Sequence, residues 1–142
     1  MTETETGLLE TVCNTAEMGG HTLKHLLSQS RDPAFSDVIR RQQRAYAKTA
    51  SEARKKLAQA GIAPKPTPVT DAMAALGVRL NTMIDASSSH MAQMMIEGST
   101  MGVVTLQRQL NIHSDAGGEA KRMAKELLQF EEKSIEGLKP YL

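Results

Sequence analysis

The sequence predicts an all-α protein, an antiparallel (up-down-up-down) four-helix bundle with a short extra helix before the third long helix. Three observations favour this class. Apolar residues recur every three or four positions along extended segments, as on one face of a helix. No segment keeps the alternation of a strand. Only 3% of the residues are aromatic, whereas strands are enriched in aromatic and β-branched residues.

Size and composition exclude several classes of protein. A chain of 142 residues with 40% hydrophobic residues is expected to form one domain, 1–142. Its net charge of +1 gives no field that attracts nucleic acid, and no apolar run approaches the roughly 20 residues of a membrane span. The lone Cys13 excludes an internal disulfide and a cysteine zinc site. The acidic, polar start is unlike a secretory signal, so we expect a cytoplasmic protein.

The first two helices have recognisable start signals. The segment 2–5, Thr-Glu-Thr-Glu, offers a capping box for a helix over about 4–30. Asp32 is a good N-cap and Pro33 a good first helical residue. We therefore predict a second helix from this point to about Ala60, ended by a glycine.

The middle of the chain is predicted to be a stiff linker followed by two helices. Three prolines at alternate positions in 61–70 impose an extended path. The following helical pattern is too long for one helix in a chain of this size. Asp and Ser compete for backbone hydrogen bonds, so the cluster at 85–89 is expected to divide it into helices at 71–84 and 86–112.

The last helix is predicted over about 118–138. Ser114 or Asp115 is expected to cap its start, and Pro140 follows its end. A cap hydroxyl or carboxylate accepts hydrogen bonds from the first free amides of a helix.

A glutamate is predicted to face the core on the last helix. Glu131 lies in the middle of an apolar face on the helical wheel, whose other members are Ala120, Ala124, Leu127, Leu128, Ile135 and Leu138. A buried carboxylate must be hydrogen-bonded, metal-bound or protonated. It is therefore either a metal ligand or substrate anchor, or a structural group bonded to a hydroxyl or amide on another helix.

Polar residues on the second helix are candidate partners for this carboxylate. Gln42, Tyr46 and Thr49 lie on its inward side. Together with Glu131 they predict a buried polar lane beside the methionines. The lane is either a small-ligand pocket or metal channel, or a hydrogen-bonded network that fixes helix register.

The segment Met91–Leu106 is apolar on more than one side, which is typical of a helix that is buried or at an interface. It contains the pair Gly98-x-x-x-Gly102, a spacing that lets another helix approach closely. Ile96, Val103 and Leu110 form a second apolar face. The cover of that face is either the short helix or another subunit, and we expect a homodimer.

The predicted architecture resembles the ferritin-like superfamily, and within it small, uncharacterised bacterial four-helix-bundle families. The segments that carry the resemblance are Ala16–Gly20, Met94–Gly102 and Glu131–Lys139. Active di-iron members have Glu-x-x-His on two helices. None of the corresponding glutamates has a histidine three positions later; these are Glu17, Glu52, Glu97 and Glu131. The resemblance therefore implies the fold and not di-iron chemistry.

Two functions follow as hypotheses. The first is a non-enzymatic helical-bundle protein, without a cofactor, that acts by self-association or by binding a protein partner. The alternative is a metal-binding ferritin-like protein that holds iron, manganese or zinc with Glu131, Glu17 and His21. His21 follows Glu17 by one helical turn, a spacing at which two side chains share one metal ion.

Overall fold

A computed structural model describes residues 1–66 and 68–142, and all of its regular secondary structure is helical. The helices are α1 (Glu3–Gln29), α2 (Pro33–Gln59), α3 (Asp71–Asn81), α4 (Ser88–Ile112), α5 (Gly118–Leu138) and a terminal 3-10 helix (Lys139–Tyr141). No strand occurs in this part of the chain. The all-α prediction is confirmed.

The start signals of α1 and α2 act as predicted. The Thr2 hydroxyl accepts from the Glu5 amide at 3.2 Å, and the Glu5 carboxylate accepts from the Thr2 amide at 3.0 Å. These reciprocal bonds satisfy two amides that have no partner within the helix. Asp32 caps α2 by accepting from the Ala34 amide at 3.1 Å, with Pro33 as the first helical residue.

The end of α2 and the linker bring the chain back across α1. Gly61 has φ +73°, a left-handed conformation that glycine adopts without a steric cost. Beyond it, the Lys65 amide donates to Glu10 at 2.6 Å, and the Lys65 carbonyl accepts from Asn14 at 2.6 Å. Both partners belong to α1. The predicted linker 61–70 includes residue 67, which lies outside the described residues, and its other residues form no helix.

The break between α3 and α4 falls where the sequence predicts it, although it is wider. It extends from residue 82 to residue 87. Asp85 accepts from the Ser87 amide at 2.9 Å, and Ser87 caps α4 by accepting from the His90 amide at 3.2 Å. The hydrogen bonds from Ser87 hold the pKa of the Asp85 carboxyl below its ordinary value.

The predicted cap of α5 is wrong. The N-cap is Gly117, which makes no side-chain hydrogen bond to the helix. Ser114 and Asp115 lie instead in the turn that ends α4, where the Ala116 amide donates to the His113 carbonyl at 2.9 Å. They precede the helix by too many residues to reach its first amides.

Four long helices share one core. α1 packs along α2, α4 packs along α5, and α1 also contacts α4 and α5. The side chains that fill the core are mainly leucine, alanine and methionine, including Met91, Met94 and Met95. Burying one such leucine or methionine stabilises the fold by about 1.5–3 kcal/mol, so this common core holds the two helix pairs together.

The short helix α3 covers part of α4. The sequence alone leaves open whether the short helix or another subunit covers that side. Leu76 and Leu80 are its buried residues, and α3 also contacts α1. A leucine methyl of Leu76 would lie 3.7 Å from a Cβ placed on Gly98. The His25 ring is 3.1 Å from the Leu80 carbonyl, which fixes the end of α3 against α1.

The structure does not leave the predicted dimer face of α4 exposed. Leu110 is buried, and Ile96 and Val103 are partly buried against the core of the same chain. Their apolar surface is largely removed from water without a second subunit, so they do not form the exposed apolar face that a partner requires.

Candidate functional site

The Glu131 carboxylate lies in the interior. Its side chain is only 2% exposed, on the same face of α5 as Ala124, Leu127, Leu128 and Leu138. The wheel analysis of the sequence points to the same face. A carboxylate at this depth needs partners, because an unbonded polar group in an apolar interior costs several kcal/mol.

Tyr46 of α2 supplies the principal partner. Its hydroxyl donates to Glu131 Oε2 at 2.7 Å. The Tyr46 ring meets the Phe130 ring edge to face, with centroids 5.0 Å apart and planes at 84°, an arrangement that aromatic pairs prefer. The ring contact fixes the direction in which the phenol points, so the hydrogen bond to the carboxylate is preorganised.

Ser99 of α4 is a second hydroxyl that acts on this pair, and the helical pattern of the sequence does not indicate it. It is buried, and its hydroxyl lowers the pKa of both Glu131 and Tyr46 by hydrogen bonding. A serine in a helix otherwise lined by methionine is a weak signal in sequence. Only the packing of α4 on α5 shows that Ser99 serves the carboxylate.

Two glycines make room for this pair. A Cβ placed on Gly102 of α4 would lie 2.9 Å from Glu131 Oε1 and 3.0 Å from its Cδ. A Cβ placed on Gly19 of α1 would lie 2.6 Å from the Tyr46 ring. Each long helix therefore contributes to one cluster, which we call the hub and which consists of Gly19, Tyr46, Ser99, Gly102 and Glu131.

The hub changes the interpretation of the Gly98-x-x-x-Gly102 pair. The spacing predicts the close approach of another helix. In the structure Gly102 receives the Glu131 side chain, whereas Gly98 faces Leu76 of α3. The two glycines thus contact different side chains. Gly102 contacts a polar side chain, and Gly98 contacts an apolar one.

Burial sets the ionisation of the hub. It raises the pKa of the Glu131 carboxyl from an ordinary value of 4.5 to about 7, against the smaller lowering effect of the Tyr46 and Ser99 hydrogen bonds. Burial, followed by the neighbouring carboxyl, raises the pKa of the Tyr46 phenol far above its ordinary range. Tyr46 is therefore a neutral donor, and Glu131 is a group that gains or loses a proton near neutral pH.

The predicted polar lane is shorter than expected. Tyr46 and Glu131 belong to it, but Gln42 and Thr49 are only half-buried. In the described part of the chain neither forms a side-chain hydrogen bond to the pair. Because they retain access to solvent, they do not need a buried partner.

The predicted metal ligands are not brought together. Glu17 is exposed and forms an ion pair with Arg54 of α2, His21 is exposed, and Glu131 is in the core. Within residues 1–66 and 68–142, no three His, Cys, Asp or Glu side chains form a group that could hold a metal ion. The structure therefore does not bring Glu131, Glu17 and His21 together as a ligand set.

Cys13 is a structural thiol. Burial, and then the nearby Glu17 carboxylate, raise the pKa of the Cys13 thiol to about 11. The thiol lies 3.6 Å from Glu17 Oε1. A cysteine nucleophile reacts as the thiolate and needs a lowered pKa, so this environment opposes catalysis by Cys13.

Two surface grooves lie away from the hub. One is lined by the starts of α1 and α5 and the end of α2, and the other by the first half of α2 and Tyr141. Neither includes Tyr46 or Glu131, so neither supports a small-ligand pocket along the predicted lane. No helix of the described residues combines the length and apolar character needed to cross a membrane.

Comparison with known proteins identifies the fold. The structure is similar to a crystal structure described as a DUF305 fragment from Deinococcus radiodurans, with a TM-score of 0.78 and 16% sequence identity over 98% of this chain and 95% of that chain. At this identity the likeness shows the fold alone. No protein-family model and no curated protein matches the sequence.

Replacing Gly102 by alanine is expected to destabilise the protein, because the new methyl group would press on the Glu131 carboxyl. Overpacking costs about 1–3 kcal/mol, and alanine regains up to about 1 kcal/mol in helix propensity. Gly98→Ala, one turn earlier in the same helix, meets only an ordinary contact at 3.7 Å and should be neutral or stabilising. Urea unfolding of both variants checks this. Equal changes in the free energy of unfolding would refute the close contact between Gly102 and the Glu131 carboxyl.

Gly19 and Gly20 provide a second matched pair. Gly19→Ala is expected to cost more than Gly102→Ala, because the rigid Tyr46 ring cannot move aside as a carboxylate can. Gly20→Ala meets Tyr46 only at 3.8 Å and should gain up to about 1 kcal/mol. The cost of Gly19→Ala should shrink in a Tyr46→Leu background; an undiminished cost would show that the ring is not its cause.

Proposed function

We propose that the protein is a non-enzymatic helical-bundle protein that acts by self-association through the outer side of α3. The observation that carries the proposal is a group of large apolar side chains left in water around this helix. Val69, Val78 and Ile84 are 69%, 61% and 97% exposed. Clusters of exposed apolar side chains are typical of protein interaction sites.

The proposed architecture is a ferritin-like four-helix bundle in which α3 is an added helix. Its support is the packing of α1 on α2 and of α4 on α5 around one core, with α3 outside the long helices. Such an added helix can present one face to the core and the opposite face to a partner. The resemblance implies the architecture alone, since fold does not determine chemistry.

The outer face of α3, which we call the α3 face, includes Asp71, Ala75, Val78 and Thr82, all exposed. These residues are spaced by three or four and so share one side of the helix. Their small or branched side chains allow a second helix to approach closely. Val69 and Ile84 extend the apolar surface at the two ends of the helix.

A second copy of the chain fits this face better than an unrelated partner. If two α3 helices meet antiparallel about Ala75, Asp71 of each copy comes opposite Arg79 of the other. Arg79 is already oriented by its ion pair with Glu97 of α4. A two-fold interface uses the same patch on both subunits and must be self-complementary, and this charge pattern meets that requirement.

A structural role rather than catalysis is supported by the chemistry of the buried groups. The Cys13 thiol has a raised pKa, and the Tyr46 phenol is held neutral in the core. The Glu131 carboxylate is enclosed by the hub. These groups support packing and register, and no substrate reaches them from either of the main surface grooves.

Val78→Glu is expected to convert a dimer into a monomer, because it places one carboxylate from each copy within the apolar interface. Size-exclusion chromatography with light scattering at micromolar concentration measures the mass. Val104→Glu is the matched control, since Val104 is an exposed valine on α4 outside the α3 face; it should remain a dimer.

Two results would contradict the proposal. A wild-type mass of one chain across the concentration series would refute self-association. A dimer that survives Val78→Glu but dissociates in Val104→Glu would place the interface on α4 instead.

A further inference from the structure

We propose that the hub is a proton-binding site, at which uptake of one proton by Glu131 tightens the junction of α2, α4 and α5 and its release loosens it near neutral pH. This inference is independent of self-association, because every group in it belongs to the core of one chain. It makes the buried carboxylate a device that responds to pH.

Among the residues that the structure describes, the surroundings of Glu131 provide hydroxyls and no cation. Tyr46 on α2 and Ser99 on α4 are the polar groups that face it. The titratable group buried on α1 is Cys13, whose thiol is directed at Glu17. Among the ion pairs of the described residues none includes Glu131; the basic residues that form them are Arg40, Arg54, Lys56, Arg79, Arg122 and Lys139.

The terminal 3-10 helix also packs against α5, and its titratable groups point elsewhere. Lys139 is bound to Glu136 at 2.7 Å on the surface. The Tyr141 ring meets Phe35 edge to face at 5.0 Å. The ionised carboxylate would therefore depend on the Tyr46 and Ser99 hydroxyls alone.

Two neutral hydrogen bonds do not replace the hydration of a carboxylate. Removing an ionised group from water is costly unless a charge of opposite sign compensates it. Gly102 closes over Oε1, which leaves no space for water on that side. The ionised hub must therefore open to admit water, whereas the protonated hub keeps the observed packing.

The sign of the pH effect follows from the direction of the shift. The pKa of Glu131 is raised in the folded protein to about 7 from an ordinary value of 4.5. The stabilisation that proton binding supplies is complete below about pH 4.5 and is lost as pH rises through 7. A difference of this size changes the folding equilibrium constant by up to a few hundredfold.

Urea unfolding at constant protein concentration, from about pH 5 to about pH 9, tests the proposal. The wild-type folding constant is expected to fall about a hundredfold over this range. Glu131→Gln keeps the side-chain shape, accepts the Tyr46 hydrogen bond and does not ionise, so its profile should be nearly flat in the neutral range. Glu132→Gln, at the adjacent exposed position, should follow the wild type.

Tyr46→Phe gives an independent readout that does not require Glu131→Gln to fold. It removes the donor that favours the ionised carboxylate, so the midpoint of the stability loss should move to higher pH. Wild-type and Glu131→Gln profiles that run parallel, or a Tyr46→Phe midpoint that does not move, would overturn the proposal.

Discussion

The hydrogen bond from Tyr46 to Glu131 connects α2 to α5 in the centre of the core, 85 residues apart in sequence. The other two long helices, α1 and α4, each place a glycine against this pair. α1 replaces a side chain with Gly19 where the Tyr46 ring lies, and α4 does the same at Gly102 where the carboxylate lies. A polar pair thus lies where all four long helices meet, and a specific hydrogen bond defines helix register better than interchangeable leucines and methionines do.

This arrangement also explains how the helical core can contain an inward glutamate although no group of His, Cys, Asp or Glu in residues 1–66 and 68–142 could hold a metal ion. Glu131 accepts a hydrogen bond from the Tyr46 phenol, while Glu17 is paired with Arg54 at the surface. The carboxylate therefore helps to define how the helices pack, and it does not form part of a metal-ligand set with Glu17. The apolar core accommodates the ionised form of Glu131 poorly. The stability of the folded protein therefore depends on pH.

Features that depend on a few consecutive residues could be predicted from the sequence. Thr2 and Asp32 start helices as expected, and the break around Asp85 is present, because caps act within one turn of the chain. The burial of Glu131 was predictable from periodicity alone. The donor Tyr46 was among its expected partners because Tyr46 lies on the inward side of the second helix.

Features that depend on packing between helices could not be predicted. The roles of Gly19 and Ser99 follow from which side chain of another helix reaches them, and no local pattern records that. Ile96, Val103 and Leu110 were expected at a subunit interface, but the chain's own core and α3 cover that side of α4. His21 was assigned to the ligand set because it follows Glu17 by one helical turn, and that spacing says nothing about whether either side chain points toward Glu131.

Carbon-13 NMR of the Glu131 carboxyl tests the central claim most directly, because it follows the ionisation of that one group in the folded protein. Its resonance can be assigned by its loss in Glu131→Gln. The structure predicts a titration midpoint near pH 7, well above the ordinary glutamate pKa of 4.5, together with a matching shift in the Tyr46 ring signals. A midpoint at the value of an exposed glutamate, with Tyr46 signals that do not respond, would contradict a carboxylate buried against the phenol.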